Sequence, residues 1–267
     1  MLKDITLGQF FPGHSFVHKM DARVKLICVI LYIAWLFFVK TFAAYGVIAV
    51  FLTVVIVSSK TPLKTVLKSV KPLMVIIVIT SAINIFYTPG TPIFVLGIFK
   101  PTWEGLRSAA FMVLRIMFLI IGTSLLTYTT SPIMLTDAIE RLLGPFKKVG
   151  LPVHELAMMM TIALRFIPTL IEETDKIMNA QKARGADFES GGIVKRATAL
   201  VPILVPLFVS AFRRADELAI AMECRCYHGG AGRTRLKVMK VGGIDVAAVV
   251  ILFALLGGVL WANGLPY

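Results

Sequence analysis

Arg184 and Arg225 stand 41 residues apart, and the residues leading up to them match. Sliding the sequence by that offset lays Asp175, Ile177, Ala180 and Arg184 on Asp216, Leu218, Ala221 and Arg225, a shared D-x-[IL]-x-x-A-x-x-x-R. A helix carries positions i, i+3 and i+7 on one face. Ile177, Ala180 and Arg184 therefore make one stripe, apolar, then small, then cationic, and Leu218, Ala221 and Arg225 make a second. A small residue lets a helix approach a groove closely, and a planar guanidinium at its tip can bond backbone carbonyls or a carboxylate there. Such an arginine also complements the negative end of its own helix dipole, which is reason enough for one copy. Two matched copies point further, to two equivalent plugs for two equivalent sockets.

Other residues that could do chemistry are less complete. Cys224, Cys226 and His228 supply three soft ligands, short of the four of a closed zinc site, and small interface side chains account for them equally. His14, His18 and Asp21 are explained by the start of a helix near the membrane surface. Arg115 lies within an apolar run, where an ionisable group is a functional candidate by default. Snorkelling or pairing inside a bundle serves as well, and no intramembrane acid is there to relay a proton. Gly229-Gly230-Ala231-Gly232-Arg233 is glycine-rich, yet lacks the lysine and hydroxyl of a phosphate-binding P-loop. No Ser-His-Asp order and no H-E-x-x-H motif is visible, so no catalytic residue and no metal ligand is assigned.

These residues must be positioned by a chain solvated largely by lipid. Hydrophobic residues make up 57% and charged residues 16%, with a mean hydropathy of +0.83, against roughly 25% charged in a soluble domain. The net charge of +13 follows from the Lys and Arg that cytoplasmic loops of membrane proteins collect, so nucleic acid is not an expected partner. Five segments, roughly 24–39, 42–57, 72–87, 108–128 and 244–262, are apolar enough to span a bilayer. Two further runs, 156–171 and 197–212, are shorter, contain prolines and lead directly into charged helices. They are read as membrane-proximal halves of long helices, with two extra spans as the alternative. Eight basic residues on one side of the early spans against three on the other place the N-terminus in the cytoplasm and the C-terminus outside.

The segment 129–243 carries 16 basic residues and 11 of the chain's 15 acids. Positive-inside topology does not call for those acids, whereas a structured, water-facing surface does. Glycines at 185 and 229–230 read as helix stops. The expected fold is thus an all-α polytopic membrane protein with about five transmembrane helices and long cytoplasmic coupling helices. Its parts are a four-helix bundle over 1–128, a cytoplasmic coupling-helix domain over 129–243, and a last transmembrane helix over 244–267.

At these residues the chain resembles the T component of energy-coupling factor (ECF) importers, of the shared-module type. The resemblance runs through Gly8-Gln9-Phe10-Phe11-Pro12-Gly13 with Ser15 and His18, Asp21-Ala22-Arg23-Val24-Lys25, Thr129-Thr130-Ser131-Pro132, Leu164-Arg165-Phe166-Ile167-Pro168 and Ala183-Arg184-Gly185. It implies a non-catalytic scaffold in the cell membrane that couples ATP hydrolysis by partners to vitamin or micronutrient uptake. Two homologous ATPase subunits, holding the ATP and magnesium, would dock on Arg184, Arg225, Ala183, Gly185, Ala180, Ala221, Ile177 and Leu218. A substrate-binding membrane S subunit would meet Met158, Met159, Ile203 and Phe208. Two departures stand out: Cys224-Arg225-Cys226 replaces the usual Ala-Arg-Gly at the second tip, and Asp21-Ala22-Arg23 replaces Asp-Pro-Arg. The rival reading is a stand-alone secondary transporter or channel, which would need a midplane site between repeated halves. The apolar spans show no such repeat.

Overall fold

The computed structural model describes residues 10–91, 102–188, 192–230 and 241–264. Within them every regular element is a helix: α1 (Phe16–Lys19), α2 (Ala22–Leu36), α3 (Phe42–Ser59), α4 (Leu63–Lys68), α5 (Met74–Tyr87), α6 (Trp103–Thr129), α7 (Pro132–Leu142), α8 (Val153–Ala183), α9 (Ile193–Cys224) and α10 (Gly243–Asn263). The chain divides into two compact units, the boundary falling after Ala138, inside α7. One unit holds α1–α6 with α10, and the other holds α8 and α9.

In the first unit short polar side chains cap the helices. Asp21, Thr41 and Thr102 accept backbone N–H bonds at the starts of α2, α3 and α6, each filling one of the donors a helix start leaves open. The interior is built from Tyr32 and Leu36 of α2, Ile48 and Leu52 of α3, Phe118, Ile121 and Leu125 of α6, and Leu252, Leu255 and Val259 of α10. Two tyrosines cross-link it with their hydroxyls, Tyr32 to the Phe118 carbonyl at 3.0 Å and Tyr45 to the Phe111 carbonyl at 3.3 Å. Gly122 permits the close crossing of α2 and α6, since a Cβ there would overlap the Tyr32 ring. The outer faces are equally apolar, with Val50, Val54, Ile79, Ile83, Val250 and Phe253 exposed. A helix apolar all round that is not enclosed by protein is enclosed by lipid.

Six helical stretches among the described residues are long and apolar enough to cross a membrane: 42–59, 63–87, 103–129, 153–183, 198–224 and 243–263. The set differs from the sequence expectation at both margins. The run expected over 24–39 forms only the 15-residue α2, because Asp21 caps it and the helix ends at Leu36. The two ambiguous runs are continuous helices of 31 and 32 residues, in which Pro168, Pro202 and Pro206 are absorbed without a break. The multi-pass membrane protein is therefore all-helical, as its patterning predicts. Pro92, Lys100 and Pro101 of the expected α5–α6 turn, and Ala231–Arg233 of the glycine-rich run, lie outside the described residues.

Candidate functional site

Both arginines close their helices with one backbone conformation. Arg184 caps α8 with φ −86° and ψ 6°, and Arg225 caps α9 with φ −95° and ψ 17°. The next residue is left-handed in each case, Gly185 at φ 87° and Cys226 at φ 55°. The N–H groups then fold back in parallel: Gly185 to the Lys182 carbonyl and Ala186 to that of Gln181, Cys226 to Glu223 and Tyr227 to Met222, at 2.8–3.1 Å. That double return bond is the Schellman arrangement, which satisfies carbonyls that a helix end leaves open. The 41-residue repeat is thus a repeat of conformation as well as of residue type.

The two stripes match in exposure. Ile177 and Leu218 are half-buried, while Ala180, Ala183, Arg184, Gly185, Ala221 and Arg225 are exposed. Among the described residues neither guanidinium bonds to another group, so both point their donors outward. Cys224 and Cys226 are exposed free thiols beside Arg225.

Helices α8 and α9 meet in an antiparallel sense. Gln181 Nε2 donates to the Pro202 carbonyl at 3.4 Å. Further back along α8, Glu173 accepts from Ser210 Oγ and from the Arg214 guanidinium, each at 2.6 Å. Glu173 and Arg214 are themselves partners under the 41-residue offset. A residue that touches its own repeat equivalent across two antiparallel helices marks a local pseudo-two-fold axis. Each arginine lies 11 residues beyond that point, so at 1.5 Å per residue the two tips stand up to about 33 Å apart, on opposite sides of the axis.

Of the four residues expected to meet a substrate subunit, Met159 and Phe208 are 55% and 61% exposed. Met158 is half-buried, and Ile203 is buried, 4% exposed, so it is not presented to a partner. Arg115 donates to the Val39 carbonyl at 3.4 Å and lies over the Phe37 ring, so its charge is used within the bundle.

A second polar cluster was not recognised as one from sequence. It sits where α6 ends and α10 begins. Lys25, 4% exposed, donates from Nζ to the Thr129 carbonyl at 2.9 Å and to Thr130 Oγ1 at 3.2 Å. Asp245, 3% exposed, accepts from the Asp21 N–H at 2.8 Å and from the Gly242 N–H at 2.7 Å. Phe11 adds a backbone bond to the Tyr128 carbonyl at 3.0 Å. The available signal was Asp245, the single acid in an otherwise apolar 21-residue helix.

Comparison with known proteins agrees with this architecture. A family model described as Cobalt transport protein (CbiQ) matches residues 13–236. The chain is 55% identical to the energy-coupling factor transporter transmembrane protein EcfT of Clostridium kluyveri, over 98% of this chain and 100% of the relative. It is 50% identical to the protein of the same name from Acidaminococcus fermentans, over the whole of both chains. The Bacillus subtilis counterpart is 47% identical, over 96% of this chain and 97% of its own length.

Proposed function

This chain belongs to the family of energy-coupling factor transporter transmembrane proteins, and from that membership we propose how it works within the transporter. It is the scaffold that couples ATP binding and hydrolysis by two homologous ATPase subunits to vitamin or micronutrient uptake. The cargo is carried by an interchangeable substrate-binding membrane subunit, and ATP and magnesium belong to the ATPases. On this reading Arg184 and Arg225 are the plugs. Ala180, Ala183, Gly185 and Ala221 let each helix end seat against a groove, and Ile177 and Leu218 supply the apolar base of each stripe.

The observation that carries the reading is the doubled tip: two arginines, each on a Schellman end, displaced symmetrically from the Glu173–Arg214 pair. Such an arrangement suits a partner that is itself a pair. Closure of that pair on ATP would draw the tips with it and turn α8 against α9. The exposed apolar side chains Met159 and Phe208, with Met158 behind, would pass the motion to the substrate subunit. Methionine suits a surface that must accept different partners. The proposed orientation, with the N-terminus and the tips in the cytoplasm and the C-terminus outside, counts the short α2 as a span beside 42–59, 63–87, 103–129 and 243–263.

The test is a mild-detergent pull-down of the tagged chain with its co-produced ATPases, comparing wild type, Arg184→Ala, Arg225→Ala and the double variant. Each single change is expected to weaken capture about tenfold or more. The double change should abolish ATP-dependent uptake while the chain still inserts. Undiminished uptake by the double variant, or transport by this chain alone in liposomes, would overturn the reading in favour of a stand-alone carrier.

A further inference from the structure

The cluster of Asp21, Lys25 and Asp245 ties together three points of the chain that are remote in sequence. Thr129 is the last residue of α6, from which the chain leaves the bundle toward α8 and α9. Gly242 and Asp245 open α10, by which it returns. Both ends are bonded to the same short stretch at the start of α2. Lys25 takes the Thr129 carbonyl, one of the acceptors a helix end leaves open, and a cation is favoured at that negative end. Asp245 divides its two oxygens, Oδ2 capping its own helix at Gly242 and Oδ1 holding the Asp21 N–H. Asp21 in turn caps α2 and pairs with Arg23 at 2.6 Å. Asp21, Lys25, Thr129, Thr130 and Asp245 are all buried.

Burying an ammonium and two carboxylates is costly, and replacing such groups by apolar ones is frequently neutral or stabilising. Fold stability alone therefore gives little reason to place these charges here. Their particular effect is to fix both ends of one inserted segment against a common base. Apolar packing between helices slides more readily than hydrogen bonds of fixed direction.

We propose that Lys25 and Asp245 are positioning residues for energy coupling: they anchor the outgoing end of α6 and the incoming end of α10, so that movement imposed on the α8–α9 pair is transmitted instead of being absorbed by the two connections. This rests on the coupling function proposed above. Without the anchor, the tips still bind the ATPases, but their motion is lost in slack at the bundle. Lys25→Met and Asp245→Asn therefore separate hydrolysis from transport.

The experiment uses the complete complex in liposomes, with radiolabelled riboflavin as cargo and a riboflavin-binding substrate subunit co-produced. ATPase capture, ATP hydrolysis and uptake are measured on each sample. Lys25→Met is expected to keep capture and hydrolysis near wild type while uptake per ATP falls about tenfold or more. Lys25→Arg, which keeps the charge and donors, restores most of it. Should Lys25→Met fail to accumulate, Thr130→Val removes one Lys25 acceptor at nearly constant shape and is expected to lower uptake per ATP about threefold. Unchanged uptake per ATP in Lys25→Met, or in Thr130→Val where that variant carries the test, overturns the anchor. So does a loss of uptake merely proportional to lost capture. Wild-type chain that captures no ATPase overturns the coupling function itself, and the anchor with it.

Discussion

The two helix ends share a backbone but not a residue at its most demanding position. Gly185 occupies the left-handed conformation without cost, whereas Cys226 at φ 55° places a Cβ against its own carbonyl. Cys226→Gly should therefore raise stability by about 1 kcal/mol, and Gly185→Ala should lower it by about the same amount, since each changes only the fit of a side chain to that conformation. Thermal unfolding in detergent would show the two midpoints moving in opposite directions. Equal shifts of one sign would mean that the two ends do not hold the conformation described. Because Arg225 keeps its position in both forms, Cys226→Gly is expected to leave ATPase capture intact.

Between helices, the strongest local constraint is steric. Tyr32 is buried and held by the Phe118 carbonyl, so it cannot yield to a Cβ on Gly122. Gly122→Ala should cost about 1–3 kcal/mol through overpacking. Glu173→Ala removes a partly exposed ion pair and should cost no more than about 1 kcal/mol. The ranking is checked by the detergent concentration or temperature at which each variant loses its folded signal. Much of this level could be read in advance. The caps at Asp21, Thr41 and Thr102, the stop at Gly185 and the arginine repeat are local signals, fixed by residues within a turn of where they act, whereas α9 ends at Cys224 with Cys226 left-handed, ahead of the expected stop at Gly229-Gly230. What stayed hidden depends on distant partners. Nothing near Lys25 announces that it reaches Thr129, more than a hundred residues on, and Ile203 differs from its exposed neighbours only by the direction in which α9 turns. The sequence does read α8 and α9 as long helices, even though proline propensity argues for a break that these helices do not make.

For the whole chain, orientation can be tested with the protein's own thiols. Cys224 and Cys226 are exposed beside the second tip, while Cys28 is half-buried in the bundle. With the tips in the cytoplasm, a membrane-impermeant maleimide should leave intact cells unlabelled and modify Cys224 and Cys226 in inside-out vesicles. Labelling of whole cells at these cysteines would reverse the topology. A symmetric bracket would seat a pair of different partners in either order. Here the bracket is symmetric in backbone yet marked in chemistry: Lys182 and Gly185 attend one tip, Glu223 and Cys226 the other. On the proposed docking, opposite charges at equivalent positions would give each end its own address, letting one chain sort two similar but distinguishable ATPases left from right.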